Sequence, residues 1–397
     1  MKNNLIIQFI NLHHADVFKK YSSRYNIYRE LYEKDLFGLE IRNVDFKLGQ
    51  RIKKIILSNK EICYLVQTKD PQLVDILSLG TLSIFKELAK EIIAIGNEDI
   101  GFKINKVIQN IIDYDTRNIQ IGNKNFEMNK AHLVGILNVT PDSFSDGGKY
   151  YEKNAAVEHA LKLLEEGAEI IDIGGESSRP GAMPISESEE EKRVLPVIEE
   201  ILKIKPDAII SVDTTKSKVA DSALSIGAKI INDISSFNFD PNMLDIVKKH
   251  NATYVLMHMK GNPQTMQDNP YYEDVVSELY EFFICKINET QKGGIKNILI
   301  DPGIGFGKRV LDNYELIRRL NEFKGLGFPI YIGLSRKSFL GKALNLGIDE
   351  REEATLIAET IAIQNGARFI RTHNVKNARY ASLINQFIDK PELLNNV

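Results

Sequence analysis

The sequence predicts a mixed α/β protein, and three observations carry that expectation. Eight short runs rich in Ile and Val recur from residue 133 onward. Each leads into Gly, Asp, Asn or Ser and then a stretch of helical texture. The runs are continuous rather than alternating, as parallel strands covered on both faces must be. Eight such units over roughly 250 residues are the signature of a closed (β/α)8 barrel, the TIM barrel. The alternative, a doubly wound open sheet, uses fewer strands and opens on a Gly-rich turn that this chain lacks.

In chain order, residues 1–117 read as a small α+β domain without a chemical motif. Residues 61–67 (EICYLVQ) read as a strand, and 72–95 carry apolar residues at helical spacing, broken at Gly80. Residues 101–114 read as a further amphipathic helix. Residues 118–129 (NIQIGNKNFEMN) alternate around Gly122-Asn123, which predicts a β-hairpin. The barrel, residues 118–397, then takes its strands from 133–139 (LVGILNV), 169–175 (EIIDIGG), 208–214 (AIISVDT), 229–235 (KIINDIS), 253–259 (TYVLMHM), 297–303 (NILIDPG), 329–335 (PIYIGLS) and 367–373 (ARFIRTH).

The chain has 397 residues, 43% hydrophobic and 26% charged, enough to bury a large core. Its 51 basic and 54 acidic residues balance to −3, which argues against a nucleic-acid or membrane-surface partner. The apolar stretch 5–10 is interrupted by Gln8 and too short for a signal-peptide core, and no run reaches membrane-span length. A cytoplasmic protein is expected, with Cys63 and Cys285 as buried reduced thiols. The seven histidines, at 13, 14, 132, 159, 250, 258 and 373, have no zinc-site spacing.

Chemistry in such a barrel gathers at the C-terminal ends of the strands. Here those ends carry Asn138, residues 174–180 (GGESSRP), Asp213, Asn232-Asp233, His258, Asp301, residues 335–338 (SRKS), and Arg371 with His373. A single Asp213 or Asp301 is as well explained by a helix cap, and a single Arg371 by a core ion pair. Polar residues at every strand end are better explained by a ligand site at the barrel mouth. Lys337, Arg371, Arg179 and His373 suit a phosphate. Asp213, Asp301 and Asn232 suit a ring edge with amidine-like N–H donors. Together they imply a heteroaromatic ring carrying a phosphate, and leave nucleotide and pterin both open.

The motifs go further. Residues 133–148 (LVGILNVTPDSFSDGG) and 168–182 (AEIIDIGGESSRPGA) resemble the two signatures of dihydropteroate synthases. The likeness continues through SVDTTK, INDIS, MHMKG, DPGIGFGK, SRKSFLG and RTHNV, from about residue 118 to 390. The resemblance implies a transferase of folate biosynthesis that joins 6-hydroxymethyl-7,8-dihydropterin pyrophosphate to p-aminobenzoate. It also implies Mg²⁺, a homodimer and a sulfonamide target. By position, Asp213, Asn232, Met257, Asp301, Phe306 and Lys337 would bind the pterin. Asn138 would hold the metal, and Ser178, Arg371 and His373 would join it around the pyrophosphate. Phe144, Arg179, Pro180 and Ser338 would meet p-aminobenzoate, the carboxylate favoured by the start of the helix at Ser338. Asp146, Lys337, Arg371 and His373 would be catalytic, with Asp146 beside a cationic methylene.

Two positions depart from the family pattern. Ser178 replaces the usual Thr and keeps its hydroxyl, and Asn374 replaces the Asp of the usual HDV. A pterin-dependent corrinoid methyltransferase would share the ring-binding residues but has no use for the phosphate cluster. A non-catalytic paralogue would have lost site residues, and the main ones are here. Residues 1–117 show no pterin pyrophosphokinase or dihydroneopterin aldolase motif. They read as a structural or oligomerisation domain, with regulation or partner docking as the alternative.

Overall fold

The computed structural model describes residues 5–27, 37–59, 61–140, 149–177 and 183–394, by backbone alone at 149–152. The chain forms two compact units. One comprises Met1–Tyr114 with Glu322–Gly327, the other Asp115–Asn321 with Phe328–Val397.

The first unit is built from β1 (Ile6–Asn11), α1 (Ala15–Tyr25), β2 (Phe37–Asp45), α2 (Phe46–Ser58), β3 (Ile62–Gln67), β4 (Leu73–Gly80), α3 (Leu82–Ala94) and α4 (Glu98–Ile112). The strands pair antiparallel in the order β1-β2-β4-β3. Alternate residues serve opposite faces. Ile7, Phe9, Leu39, Ile41, Val74 and Ile76 cluster with Ile52, Phe85 and Ile104 of the helices. Ile10, Leu12, Leu77 and Leu79 cluster with Val17, Phe18 and Tyr21 of α1. On that second face Glu40 is fully buried, and accepts from Tyr25 Oη at 2.7 Å and pairs with Arg24 at 3.1 Å. Burial raises the Glu40 carboxyl above the usual range, and Arg24 opposes the rise.

The expected strand at 61–67 is β3, and the expected helix at 101–114 is α4. The helical reading of 72–80 is overturned: that stretch is β4. A strand between two neighbours, covered on both faces, is apolar on both sides, and a short run of that kind looks the same as a buried helical turn.

The second unit opens with the predicted hairpin, β5 (Asn118–Ile121) and β6 (Lys124–Glu127), turned at Gly122 with φ 58°. Eight parallel strands follow and close into a barrel: β7 (His132–Asn138), β8 (Ile170–Gly174), β9 (Ile209–Asp213), β10 (Ile230–Asp233), β11 (Thr253–Met257), β12 (Ile298–Asp301), β13 (Ile330–Gly333) and β14 (Ala367–Thr372). Helices follow each strand: α5 (Lys149–Glu166), α6 (Glu187–Ile204), α7 (Ser217–Ser225), α8 (Met243–Lys249), α9 (Val275–Lys292), α10 (Val310–Arg318), the pair α11 (Ser338–Leu344) and α12 (Glu352–Gln364), and α13 (Val375–Asp389). Seven of the eight predicted runs contain their strand, and β7 begins one residue before the run at 133–139.

The hairpin closes the N-terminal end of the barrel. Ile119, Ile121, Phe126 and Met128 pack on Val134, Ile170, Ile209, Ile230, Val255, Leu299, Tyr331 and Phe369, one residue from each strand. Arg368 fixes the closure by donating to Met128 O at 2.5 Å and to Asp115 at 2.5 Å. The polar strand ends are thereby left at the opposite mouth. Cys63 and Cys285 are free thiols, the second only half buried. Among the described residues no helix is long and apolar enough to cross a membrane.

Truncating the plug should therefore weaken the barrel. Phe126→Ala is expected to destabilise it by about 3 kcal/mol, read as a lower urea midpoint at unchanged slope. An unchanged midpoint would show that the hairpin is not part of the core.

Candidate active site

The mouth is organised around Arg371, near the end of β14. Its Nε donates to Asp172 Oδ2 at 2.6 Å and its Nη2 to Asp213 Oδ2 at 2.9 Å. Asp172 Oδ2 also accepts from Asn232 Nδ2 at 3.0 Å. Asp213 and Asn232 stand side by side because β9 and β10 pair them in register, and Asn138 lies two strands from Asp213, opposite Gly174. Asn232 Oδ1 and Asp172 Oδ1 are buried and unbonded among the described residues. A ligand N–H would satisfy an acceptor there.

Electrostatics follow from burial. It pushes the Asp213 carboxyl up to about 7, with Arg371 pulling down and Asp172 pushing up. It also raises Asp301, against the pull of Lys337. For Arg371, burial is outweighed by Asp172 and Asp213, which hold the guanidinium charged. Burial brings the Lys337 ammonium down to about 8, with Asp301 opposing.

Beside this network the loop after β12 brings a second set together. Met257 and Asp301 end neighbouring strands in register. Asp301 Oδ1 accepts the Gly303 N–H at 2.7 Å. Lys337 donates to Ile304 O, and its ammonium lies 4.6 Å from the centre of the Phe306 ring. A Cβ at Gly305 would stand 3.2 Å from the Lys337 stem, so the chain passes close above glycine. Gly303, at φ 65°, is needed twice over, since a Cβ there would also collide with His258 O.

On the far side, Ser335 Oγ accepts the His373 N–H at 3.3 Å and lies 2.9 Å from its Nδ1. If the hydroxyl donates to Nδ1, the ring proton sits on Nε2. Asn374 accepts the Asn377 N–H at 3.1 Å and caps α13, the work an Asp does elsewhere. Ser338 is exposed at the first position of α11, which has only seven residues. Phe144, Asp146, Ser178, Arg179 and Pro180 lie outside the described residues.

Some rim residues have other work. Asp233 is fully buried and bonds Ser235, the Phe237 N–H at 2.7 Å and Tyr254 Oη at 2.6 Å, an internal brace. His258 is buried and its Nδ1 faces Lys308 Nζ at 3.1 Å.

Two residues escaped the sequence reading, Asp172 and Lys308, and a third, Glu176, was seen at the rim but given no role. Asp172 ties Arg371 to Asn232, and its only signal was a charge in the middle of an apolar strand. Lys308, fully enclosed, donates to the carbonyls of Gly303, Phe306 and His258 at 2.9–3.2 Å and so stitches the β12 loop to the end of β11. Burial holds its ammonium well below the usual lysine range. Glu176 accepts from the Ile185 N–H at 2.8 Å and from Lys216 at 2.7 Å.

A TIM-barrel mouth that sets carboxylates and a carboxamide beside cations and an aromatic ring is the site of a small-molecule enzyme. The profile of the pterin-binding enzymes matches residues 134–373. The dihydropteroate synthase of Escherichia coli strain K12 is 46% identical over 252 residues, 63% of this chain and 89% of that protein. The Xanthomonas albilineans dihydropteroate synthase solved with 4-aminobenzoic acid is similar at TM-score 0.65 and 39% identity, covering 69% of this chain and 98% of that one. The same enzyme in complex with 7,8-dihydropteroate is similar at TM-score 0.62 and 36% identity, covering 69% and 99%. The chain belongs to the pterin-binding enzymes, among the dihydropteroate synthases.

Followed by carbon-13 NMR, the Asp213 carboxyl should titrate near 7. Arg371→Met should move it higher still, because the guanidinium is the group that favours the carboxylate. A fall in that variant would overturn the assignment.

Proposed function

We propose that this chain condenses 6-hydroxymethyl-7,8-dihydropterin pyrophosphate with p-aminobenzoate, giving 7,8-dihydropteroate and pyrophosphate for folate synthesis. The observation that carries this is the Asp172–Arg371–Asp213–Asn232 network set beside Lys337 and Phe306, which offers one ligand both ring-edge partners and cations.

In this reading Asp213, Asn232 and Asp301 meet the N–H donors of the pterin edge. Met257 and Phe306 line the ring, and Lys337 faces its carbonyl and N5. Arg371, His373 and Ser178 hold the pyrophosphate. Arg371 spends two of its three nitrogens on Asp172 and Asp213, and Nη1 remains for an oxygen of the substrate. Mg²⁺ fits beside Asn138, whose amide makes no hydrogen bond among the described residues. No group of three or more His, Cys, Asp or Glu there could hold a metal, so its remaining ligands would be phosphate oxygens and water. When bound, the ion neutralises charge on the leaving group.

The reaction breaks the bond from the exocyclic methylene to the bridging oxygen and forms a carbon–nitrogen bond. Pyrophosphate leaves with the electron pair, and the arylamine loses a proton to solvent. The amine is a neutral nucleophile, so the side chains act by positioning and by field. Asp146 would stand beside the developing cation. Ser338, Phe144, Arg179 and Pro180 would hold p-aminobenzoate, and sulfonamides that mimic it would compete there.

Residues 1–117 form a separate structural or oligomerisation domain in this reading, and 118–397 the catalytic one. The protein works in the cytoplasm as a homodimer. Support for the dimer comes from α12 and α13, where Ile357, Ile361, Tyr380, Ile384 and Ile388 are exposed at four-residue intervals.

With pterin pyrophosphate, Mg²⁺ and p-aminobenzoate, the full chain should release pyrophosphate only when the amine is present, and Arg371→Ala should lose at least about 100-fold in kcat/KM. Amine-independent release, or none from folded protein, defeats the proposal. By light scattering the wild type should be a dimer and the pair Ile384→Glu/Ile388→Glu a monomer. A dimer that survives both charges places the interface elsewhere.

A further inference from the structure

Arg336 sits at φ 57°, in the left-handed region where a bulky side chain needs outside support. It directly precedes Lys337 and Ser338. The backbone N–H, the carbonyl and the Nε of Arg336 are all taken by the start of α12. Its N–H donates to Thr355 Oγ1 at 3.1 Å, its carbonyl accepts from Arg351 Nη1 at 3.0 Å, and its Nε donates to Glu352 Oε1 at 2.7 Å. Arg351 also donates to Leu346 O, beyond the end of α11, and lies where a Cβ at Gly341 would stand. The other oxygen of Glu352 accepts from Asn374 Nδ2 at 3.1 Å. One carboxylate therefore ties the loop after β13 to the loop after β14.

The identity of residue 374 matters in this arrangement. An amide has a donor for Glu352 and an acceptor left for the α13 cap. A carboxylate in its place could still cap the helix but would stand against the Glu352 carboxylate. The Arg336–Glu352 pair is itself partly exposed, with side chains 42% and 24% accessible, so it contributes little to stability. What it fixes is direction.

We propose that Glu352 is a positioning residue for the p-aminobenzoate end of the site, holding Arg336 in the turn that leads to Ser338, and that Asn374 is its matched partner; Lys337 is held separately, by Ile304 O and beside Phe306. This rests on the assignment of Ser338 to p-aminobenzoate above.

The test is steady-state pyrophosphate release by the full chain, varying each substrate separately. Glu352→Ala should raise the KM for p-aminobenzoate about tenfold, with the KM for the pterin pyrophosphate and the thermal midpoint unchanged. Asn374→Asp should do the same. The pair Asn374→Asp/Glu352→Gln should recover wild-type KM, because the new amide donates to the new carboxylate and still accepts from Arg336. Equal rises in both KM values, or no recovery in the pair, overturn the proposal. Ser338→Ala separates the layers. If it leaves the p-aminobenzoate KM unchanged, the site assignment fails. If it raises that KM while Glu352→Ala does not, the positioning role fails alone.

Discussion

The site depends on one guanidinium held between two carboxylates inside a barrel. Arg371 comes from the last strand, Asp172 from the second and Asp213 from the third. A buried ion pair of this kind gives little net stability, because desolvation consumes most of the Coulombic gain. Removing one partner is another matter, since it leaves a buried charge without compensation. The network thus acts through geometry. Asp172 sets the direction of Arg371 and of Asn232 with a single oxygen, so that these groups are prearranged rather than mobile.

A second constraint supports the first. The loop after β12 carries Phe306 and the carbonyl of Ile304 against Lys337, and it is drawn tight by Lys308 beneath it. Backbone carbonyls that face inward need a donor, and one lysine serves three of them. Gly303 and Gly305 permit the close passage that results. The Lys337–Phe306 side of the mouth is therefore held from within the loop, whereas Arg336 is held from outside it by the start of α12, which Glu352 ties to Asn374 at the start of α13. The two ends of the pocket have separate supports.

Much of this was legible in the sequence, for identifiable reasons. A parallel strand covered on both faces is a continuous Ile/Val run, so all eight barrel strands could be located. The hairpin was legible because Gly122-Asn123 interrupts a clean alternation. The stretch 72–80 was not, because a doubly covered strand in an antiparallel sheet has the same texture as a buried helix. Asp213, Asn232 and Asp301 were visible as polar residues at the ends of apolar runs. Asp233 and His258 shared that signal, and the fold turned both inward to brace backbone and lysine.

The sequence by itself determined the alternation of strands and helices, the end of the barrel that is polar, and the chemical character of what binds there, since these are local properties of composition and order. Only the tertiary structure decided which polar groups meet. Asp172 finds Arg371 across 199 residues of chain. Lys308 finds carbonyls, which have no side-chain signature at all. Glu352 finds Arg336 and Asn374 because two loops close beside one helix. Pairing of this kind is set by barrel closure and strand register, and these are properties of the whole packed sheet.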